Sequence, residues 1–341
     1  MSDQAQGLRV LAGRVRDHAH AARPAAAAAR ARSSAPEAPV PGIALVNGRL
    51  HASRIRSAPP RRARVVAVTS GKGGVGKSNL SANLSIALGR RGRRVVVLDA
   101  DIGLANTHIL LGAAPPYSLE HVIAGTKSIR DVLHAVTANV HLLAGGGGIA
   151  NIGCLTPPHR TALLGGLRDL DTVCDLMLID TGAGVERNVV AFLCAVNEVI
   201  VVTTPEPTAI ANAYATVKIV SQQNPAARMM LVVNMVNSSS EGAAVSSRLN
   251  AITRQFLDRE VEYAGCIPLD PAVPRAIRQR IPFVSCMPRC AAAAGIDKIV
   301  RRLGLAGDAP RPSSIEGFLS SVQRCIKSNK EALFDASIAN P

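Results

Sequence analysis

From residue 65 onward, short runs of valine, isoleucine and leucine alternate with longer stretches whose apolar residues recur at helical spacing. The runs at 65–69, 94–98, 140–143, 176–180, 198–203 and 229–234, with a shorter one at 264–267, predict strands. Their near-continuous hydrophobicity predicts burial on both faces, as in parallel sheets. The intervening stretches 78–90, 118–123, 128–134, 158–171, 187–195, 208–223 and 243–258 predict helices. This alternation specifies an α/β fold, a doubly wound and mostly parallel sheet with helices on both faces. Ligands of such sheets gather beyond the carboxyl ends of the strands. The residues that follow each strand therefore carry the most information.

The first 64 residues break the pattern. They carry 12 Lys+Arg against 3 Asp+Glu, net +9, whereas the rest of the chain has net +6. Pro24 precedes five alanines, and Pro36, Pro39, Pro41, Pro59 and Pro60 follow. A segment of this composition cannot bury a core of its own. The expected organisation is an N-terminal motif at 1–17, a basic Ala/Arg/Pro-rich linker at 18–63, a folded domain at 65–306 and an amphipathic helix at 313–334. Basic charge attracts phosphates. With 5 Phe, 3 Tyr and no Trp, however, the chain lacks a base-stacking platform, and nucleic acid is disfavoured as a partner. Seven scattered cysteines form no C-x-x-C pair, which disfavours zinc and iron–sulfur chemistry and fits reduced thiols in the cytosol. No apolar run reaches the length of a membrane span.

The first predicted strand leads into Gly71-Lys72-Gly73-Gly74-Val75-Gly76-Lys77-Ser78, with Asn79 opening the helix behind it. The spacing Gly71-x4-Gly76-Lys77-Ser78 is that of a phosphate-binding loop. Its backbone N–H groups close around phosphates, the Lys77 ammonium reaches the terminal phosphate oxygens, and Ser78 offers a hydroxyl to Mg²⁺. Lys72 is a second cation in an already complete loop. It is redundant for its own nucleotide, which suggests service to a nucleotide elsewhere. The second strand ends in Asp99-Ala100-Asp101, two carboxylates on one side of the strand, suited to Mg²⁺ and an attacking water. The fourth ends in Asp180-Thr181-Gly182, a strand-end aspartate followed by a loop able to respond to loss of a phosphate.

These motifs resemble the MinD/ParA type of deviant Walker A ATPases over residues 65–300. The resemblance implies ATP and Mg²⁺ as cofactors, and an ATP-dependent homodimer in which Lys72 crosses to the partner's nucleotide. It implies that Asp101 positions or activates the hydrolytic water and that Asp99 supports the phosphate and metal site. Asp180 would hold Mg²⁺ through water. Asn234, at the end of 229–234, becomes a candidate for adenine. The segment from Gly265 to Ala276, with Pro268 and Asp270, resembles the family segment that packs around the base. On physical grounds alone Asn234 serves equally as a turn residue.

Two stretches resemble the flagellar-number (FlhG) branch of the family: Thr203-Thr204-Pro205-Glu206-Pro207-Thr208-Ala209-Ile210, and the N-terminal Asp3-Gln4-Ala5-Gln6-Gly7-Leu8-Arg9. In that branch the second motif, here carried by Asp3, Gln4, Ala5, Leu8 and Arg9, stimulates the flagellar GTPase FlhF. Further implied partners are flagellar motor-switch proteins or a flagellar transcription activator. At the other end, Ile315, Phe318, Leu319, Val322 and Ile326 form one stripe of a helix. The stripe suits either packing on the domain or a reversible membrane anchor like those of MinD relatives. The expectation is the anchor, placing the ATP-bound protein at the inner face of the cytoplasmic membrane.

Overall fold

A computed structural model of the chain describes residues 63–101, 106–145, 156–305 and 314–322. Outside the described residues lie the motif carrying Asp3, Gln4, Ala5, Leu8 and Arg9, the linker as far as residue 62, and Ile326. The strands are β1 (Arg64–Ser70), β2 (Val95–Ala100), β3 (His134–Thr137), β4 (Val140–Ala144), β5 (Leu176–Ala183), β6 (Glu198–Thr203), β7 (Arg228–Val236) and β8 (Glu262–Pro268). They form one sheet in the order β3-β4-β2-β5-β1-β6-β7-β8. Every pairing is parallel except β3 with β4. All seven predicted strands are present. The stretch predicted as a helix at 128–134 is a single helical turn, and its end turns into β3. There the alternation in His134-Ala135-Val136-Thr137 half-buries one side of a short edge strand and exposes the other, which requires no continuous apolar run.

Alternation along each inner strand divides the core in two. Val65 and Ala67 of β1 face one cluster, Val66 and Val68 the other. The first cluster is closed by helices α5 (Pro157–Val173), α6 (Arg187–Ala195), α7 (Pro207–Gln223) and α8 (Ser239–Leu257). The second is closed by α1 (Lys77–Gly89) and by α9 (Ala272–Gln279), α10 (Phe283–Cys286) and α11 (Ala291–Arg302). Helix α1 is buried from Leu80 to Gly89. Its Ser81, Ala82, Ser85 and Ala87 are small, so it lies close against the sheet, and the Ser85 hydroxyl satisfies itself on the Ala82 carbonyl at 2.7 Å. β1 sits between β5 and β6. The loop that follows it therefore emerges mid-sheet, flanked by the ends of both neighbours.

The C-terminal helix, α12 (315–322), corrects the membrane expectation. Ile315, Phe318, Leu319 and Val322 are all under 4 % exposed and belong to the first core cluster. Phe318 stacks on Phe192 of α6, with ring centroids 6.2 Å apart. Asp171 of α5 accepts from the Ile315 N–H at 3.1 Å and from the Ala63 N–H at 3.0 Å, tying both ends of the domain to one carboxylate. Four such side chains contribute roughly 6–12 kcal/mol gross when buried. A membrane anchor needs this stripe free, and here it fills the core. Among the described residues no helix is long and apolar enough to cross a membrane.

Candidate nucleotide-binding site

The loop from β1 to α1 has glycine where geometry demands it. A Cβ on Gly71 would lie 2.1 Å from the Asn212 carbonyl oxygen. Gly76 has φ +89°, and a Cβ there would meet the Asn234 amide at 2.3 Å. The close approach is used: Asn234 Nδ2 donates to the Val75 carbonyl at 2.8 Å, pinning the loop to the end of β7. Helix α1 begins at Lys77 with no acidic residue in its first turn. Its free N–H groups and positive dipole end are left for an anion.

The loop forms one wall of a cleft of about 680 Å³, through Gly73, Gly74, Gly76, Lys77, Ser78 and Asn79. Asp101 and Asn106 contribute from the segment after β2. Met235, Ile267, Val273, Ile277 and Phe283 make an apolar wall. One end of the cleft thus suits phosphates and the other a flat aromatic base.

Beneath the loop lies a buried charge cluster. Lys77 Nζ donates to Asp180 Oδ1 at 2.8 Å and to the Ser78 hydroxyl at 3.2 Å, and lies 3.9 Å from an Asp101 oxygen. Asp180 is fully buried and also accepts from the hydroxyls of Ser81 at 3.1 Å and Thr107 at 2.8 Å. Asp99 is the register partner of Asp180 on the adjacent strand. It accepts from the N–H groups of Asp101 at 3.3 Å and Thr107 at 3.1 Å. Burial, then repulsion from Asp180, pushes the Asp99 carboxyl up to about 6. This close set of hard oxygen donors is short of positive charge, which is what a magnesium ion would supply. Asp99, Asp180 and the Ser78 hydroxyl are the residues that would hold it, Asp180 from behind the cleft wall.

A family model for the CobQ/CobB/MinD/ParA nucleotide binding domain matches residues 66–283. The chain belongs to this family. It is 36% identical over 265 residues to the antiactivator FleN of Pseudomonas aeruginosa, covering 77% of this chain and 94% of that protein. It is 33% identical to the flagellum site-determining protein YlxH of Helicobacter pylori, covering 69% and 80% of the two chains. Among solved structures it is similar to the septum site-determining protein MinD of Pyrococcus horikoshii complexed with Mg-ADP. There the identity is 25% and the TM-score 0.57, over 72% of this chain and 99% of that one.

Within this member of the MinD/ParA family, Lys72 does not line the cleft of its own chain. Its ammonium is held by Glu206 at 2.6 Å and by the Thr208 hydroxyl at 3.3 Å. Those partners come from the Thr-Thr-Pro-Glu-Pro-Thr stretch, so two sequence motifs meet at one lysine. Asn234 lines the cleft and also braces the loop.

Pro268 and Asp270 are corrected, since neither lines the cleft. The Asp270 carboxylate accepts from the N–H groups of Ala272 at 2.8 Å and Ala292 at 3.0 Å, joining the starts of α9 and α11. Pro268 closes β8 beside Gly295 of α11. The segment instead reaches the cleft through Ile267 and Val273, and Ile277 joins them from the residue just beyond it. Sequence reasoning also passed over Ser81 and Thr107. Ser81 reads as one of several small residues on a buried helix, and Thr107 as an ordinary helix start.

Proposed function

We propose that this chain is an ATP-hydrolysing dimerisation switch of the FlhG type, regulating flagellum number and placement. The observation that carries the reading is a complete phosphate loop whose second lysine, Lys72, is held outside its own cleft. The similarity to FleN and YlxH supports the flagellar role, and the Mg-ADP complex of the related MinD supports the ligand class.

Bound magnesium–ATP would supply the anhydride and a cation, held by Ser78, Asp99 and Asp180, whose charge would offset that of the phosphates. Lys77 Nζ would exchange Asp180 for phosphate oxygens, since an ammonium on a buried phosphate is a strong charge-assisted contact. Asp101, on the cleft wall, would orient the attacking water with its carboxylate. Lys72 would leave an exposed pair with Glu206, whose side chains are 40% and 62% exposed. Such pairs are weak, so the lysine is cheaply released toward a second copy. Independently of the ATPase cycle, the N-terminal Asp3–Arg9 motif would stimulate the flagellar GTPase FlhF.

A second reading treats the chain as an anti-activator of flagellar transcription, using ATP mainly as a structural ligand. The name of the FleN relative favours it. Sizing by sedimentation with ADP and with ATP, on wild type and Lys72→Ala, tests the first. A dimer is expected with ATP in wild type only, with nucleotide affinity retained in the variant. A Lys72→Ala protein that dimerises like wild type would refute the trans role.

A further inference from the structure

Asp99 and Asp180 stand in register on neighbouring parallel strands, both nearly fully buried. Two such carboxylates repel, and each needs donors to stay ordered. One residue serves both. The backbone N–H of Thr107 donates to Asp99 Oδ2 at 3.1 Å, and its hydroxyl donates to Asp180 Oδ2 at 2.8 Å. Thr107 is itself fully buried. The other Asp180 oxygen is taken by Lys77 and by the Ser81 hydroxyl. A threonine opening a helix ordinarily turns its hydroxyl to local backbone. Here the helix, α2 (Thr107–Leu110), is one short turn, and the hydroxyl reaches across to a strand 73 residues away.

We propose that Thr107 is a positioning residue of the metal–nucleotide site, stapling the start of α2 to the buried Asp180 of β5. Its neighbour Asn106, and Asp101 on the same segment, both line the cleft. A hydroxyl that fixes Thr107 against Asp180 therefore also fixes where the adjacent Asn106 stands relative to the phosphate loop, while Asp101 is tied to the same carboxylate pair through its N–H on Asp99. Residues that orient metal-site carboxylates in this way typically contribute ~10–100-fold in metal affinity or activity. The inference rests on the hydrolytic reading above, and its test separates the two.

The experiment compares wild type, Thr107→Val and Thr107→Ser in the full chain. Valine keeps the shape and deletes the hydroxyl, while serine restores it. Measured are ATP turnover against Mg²⁺ concentration, binding of fluorescent ADP with and without Mg²⁺, and amide exchange of residues 106–111. For Thr107→Val, kcat or the Mg²⁺ requirement should worsen ~10–100-fold, with Mg²⁺-free ADP binding within about twofold and faster exchange at 106–111. Thr107→Ser should return each readout to within about threefold. A valine variant within threefold of wild type in both Mg²⁺-dependent readouts overturns the proposal, as does a serine variant no better than valine. If wild type shows no turnover, the hydrolytic reading fails. Thr107 is then judged on the Mg²⁺ enhancement of ADP binding: loss with valine and retention with serine supports the role, and equal enhancement in all three overturns it.

Discussion

Asp99→Asn should make the nucleotide-free protein more stable at neutral pH while impairing its metal site. The Asp99 carboxyl is raised from 3.8 to about 6 by burial and by the neighbouring Asp180. Between about pH 4 and pH 6 the folded chain keeps a proton on Asp99 that the unfolded chain has already released. Stability therefore declines as pH rises through that window, because the native state binds more protons than the unfolded state. A shift of about two units corresponds to about 3 kcal/mol at most, at 1.36 kcal/mol per unit. The substitution removes the ionisation at the cost of one acceptor, since its single amide oxygen can serve only one of the Asp101 and Thr107 N–H groups, which bond different carboxylate oxygens. With about 1 kcal/mol offset by the lost acceptor, a net gain of about 1–2 kcal/mol is expected at pH 8 and a small loss at pH 4, the former equivalent to roughly 2–8 °C in Tm for a domain of this size. The assay is urea unfolding of both proteins in EDTA at pH 4, 6 and 8. A difference that does not vary with pH, or a variant less stable than wild type at pH 8, would show that the paired carboxylates are not the strained feature. Added Mg-ADP should reverse the ranking, since a bound ligand stabilises the state that binds it better.

Lys77→Met should abolish nucleotide binding and also destabilise the fold by about 3–5 kcal/mol, because it leaves the buried Asp180 charge unpaired. Adding Asp180→Asn should recover much of the stability but none of the binding, as read by urea midpoints and fluorescent ADP titration. Phe318→Ala should cost about 3–5 kcal/mol in chemical unfolding, whereas a free helix would register almost nothing. Asp270→Ala, which removes the acceptor at two helix starts, should cost about 1–3 kcal/mol and leave nucleotide affinity within twofold. A tenfold loss of affinity there would restore Asp270 to the site.

The strands were legible because a central parallel strand must be apolar on both faces, and few other structures demand that. The phosphate loop was legible because its glycines, lysine and hydroxyl are consecutive, so spacing alone carries the geometry. Asp99, Asp101 and Asp180 stood out as candidates from their places at the ends of predicted apolar runs. Thr107 could not be found in the same way. Its role depends on β2 and β5 being adjacent and in register at Asp99 and Asp180, and no local pattern encodes which strands pair. Asp270 failed for the matching reason. One of its two acceptor duties is to Ala292, whose proximity arises only when α9 and α11 converge beside β8.

The C-terminal stripe shows the limit of amphipathicity as a signal. Apolar spacing at 315, 318, 319 and 322 states that one face of a helix must leave water, and it holds equally for lipid and for protein. What decides is the complement, which lies far away in the chain. Phe192 presents a ring parallel to Phe318, with 15° between the planes, and Asp171 presents a carboxylate to the helix's first N–H groups at 3.1 and 3.4 Å. A lipid surface offers neither a matched ring nor a fixed acceptor. The same Asp171 holds Ala63, where the chain enters β1. The domain therefore closes on its two ends together, and a substitution at Asp171 should loosen both ends where one at Phe318 loosens only the second. Amide exchange at 63–66 and at 315–322 in Asp171→Ala and Phe318→Ala separates these cases. Faster exchange confined to 315–322 in both variants would show that the two ends are held independently.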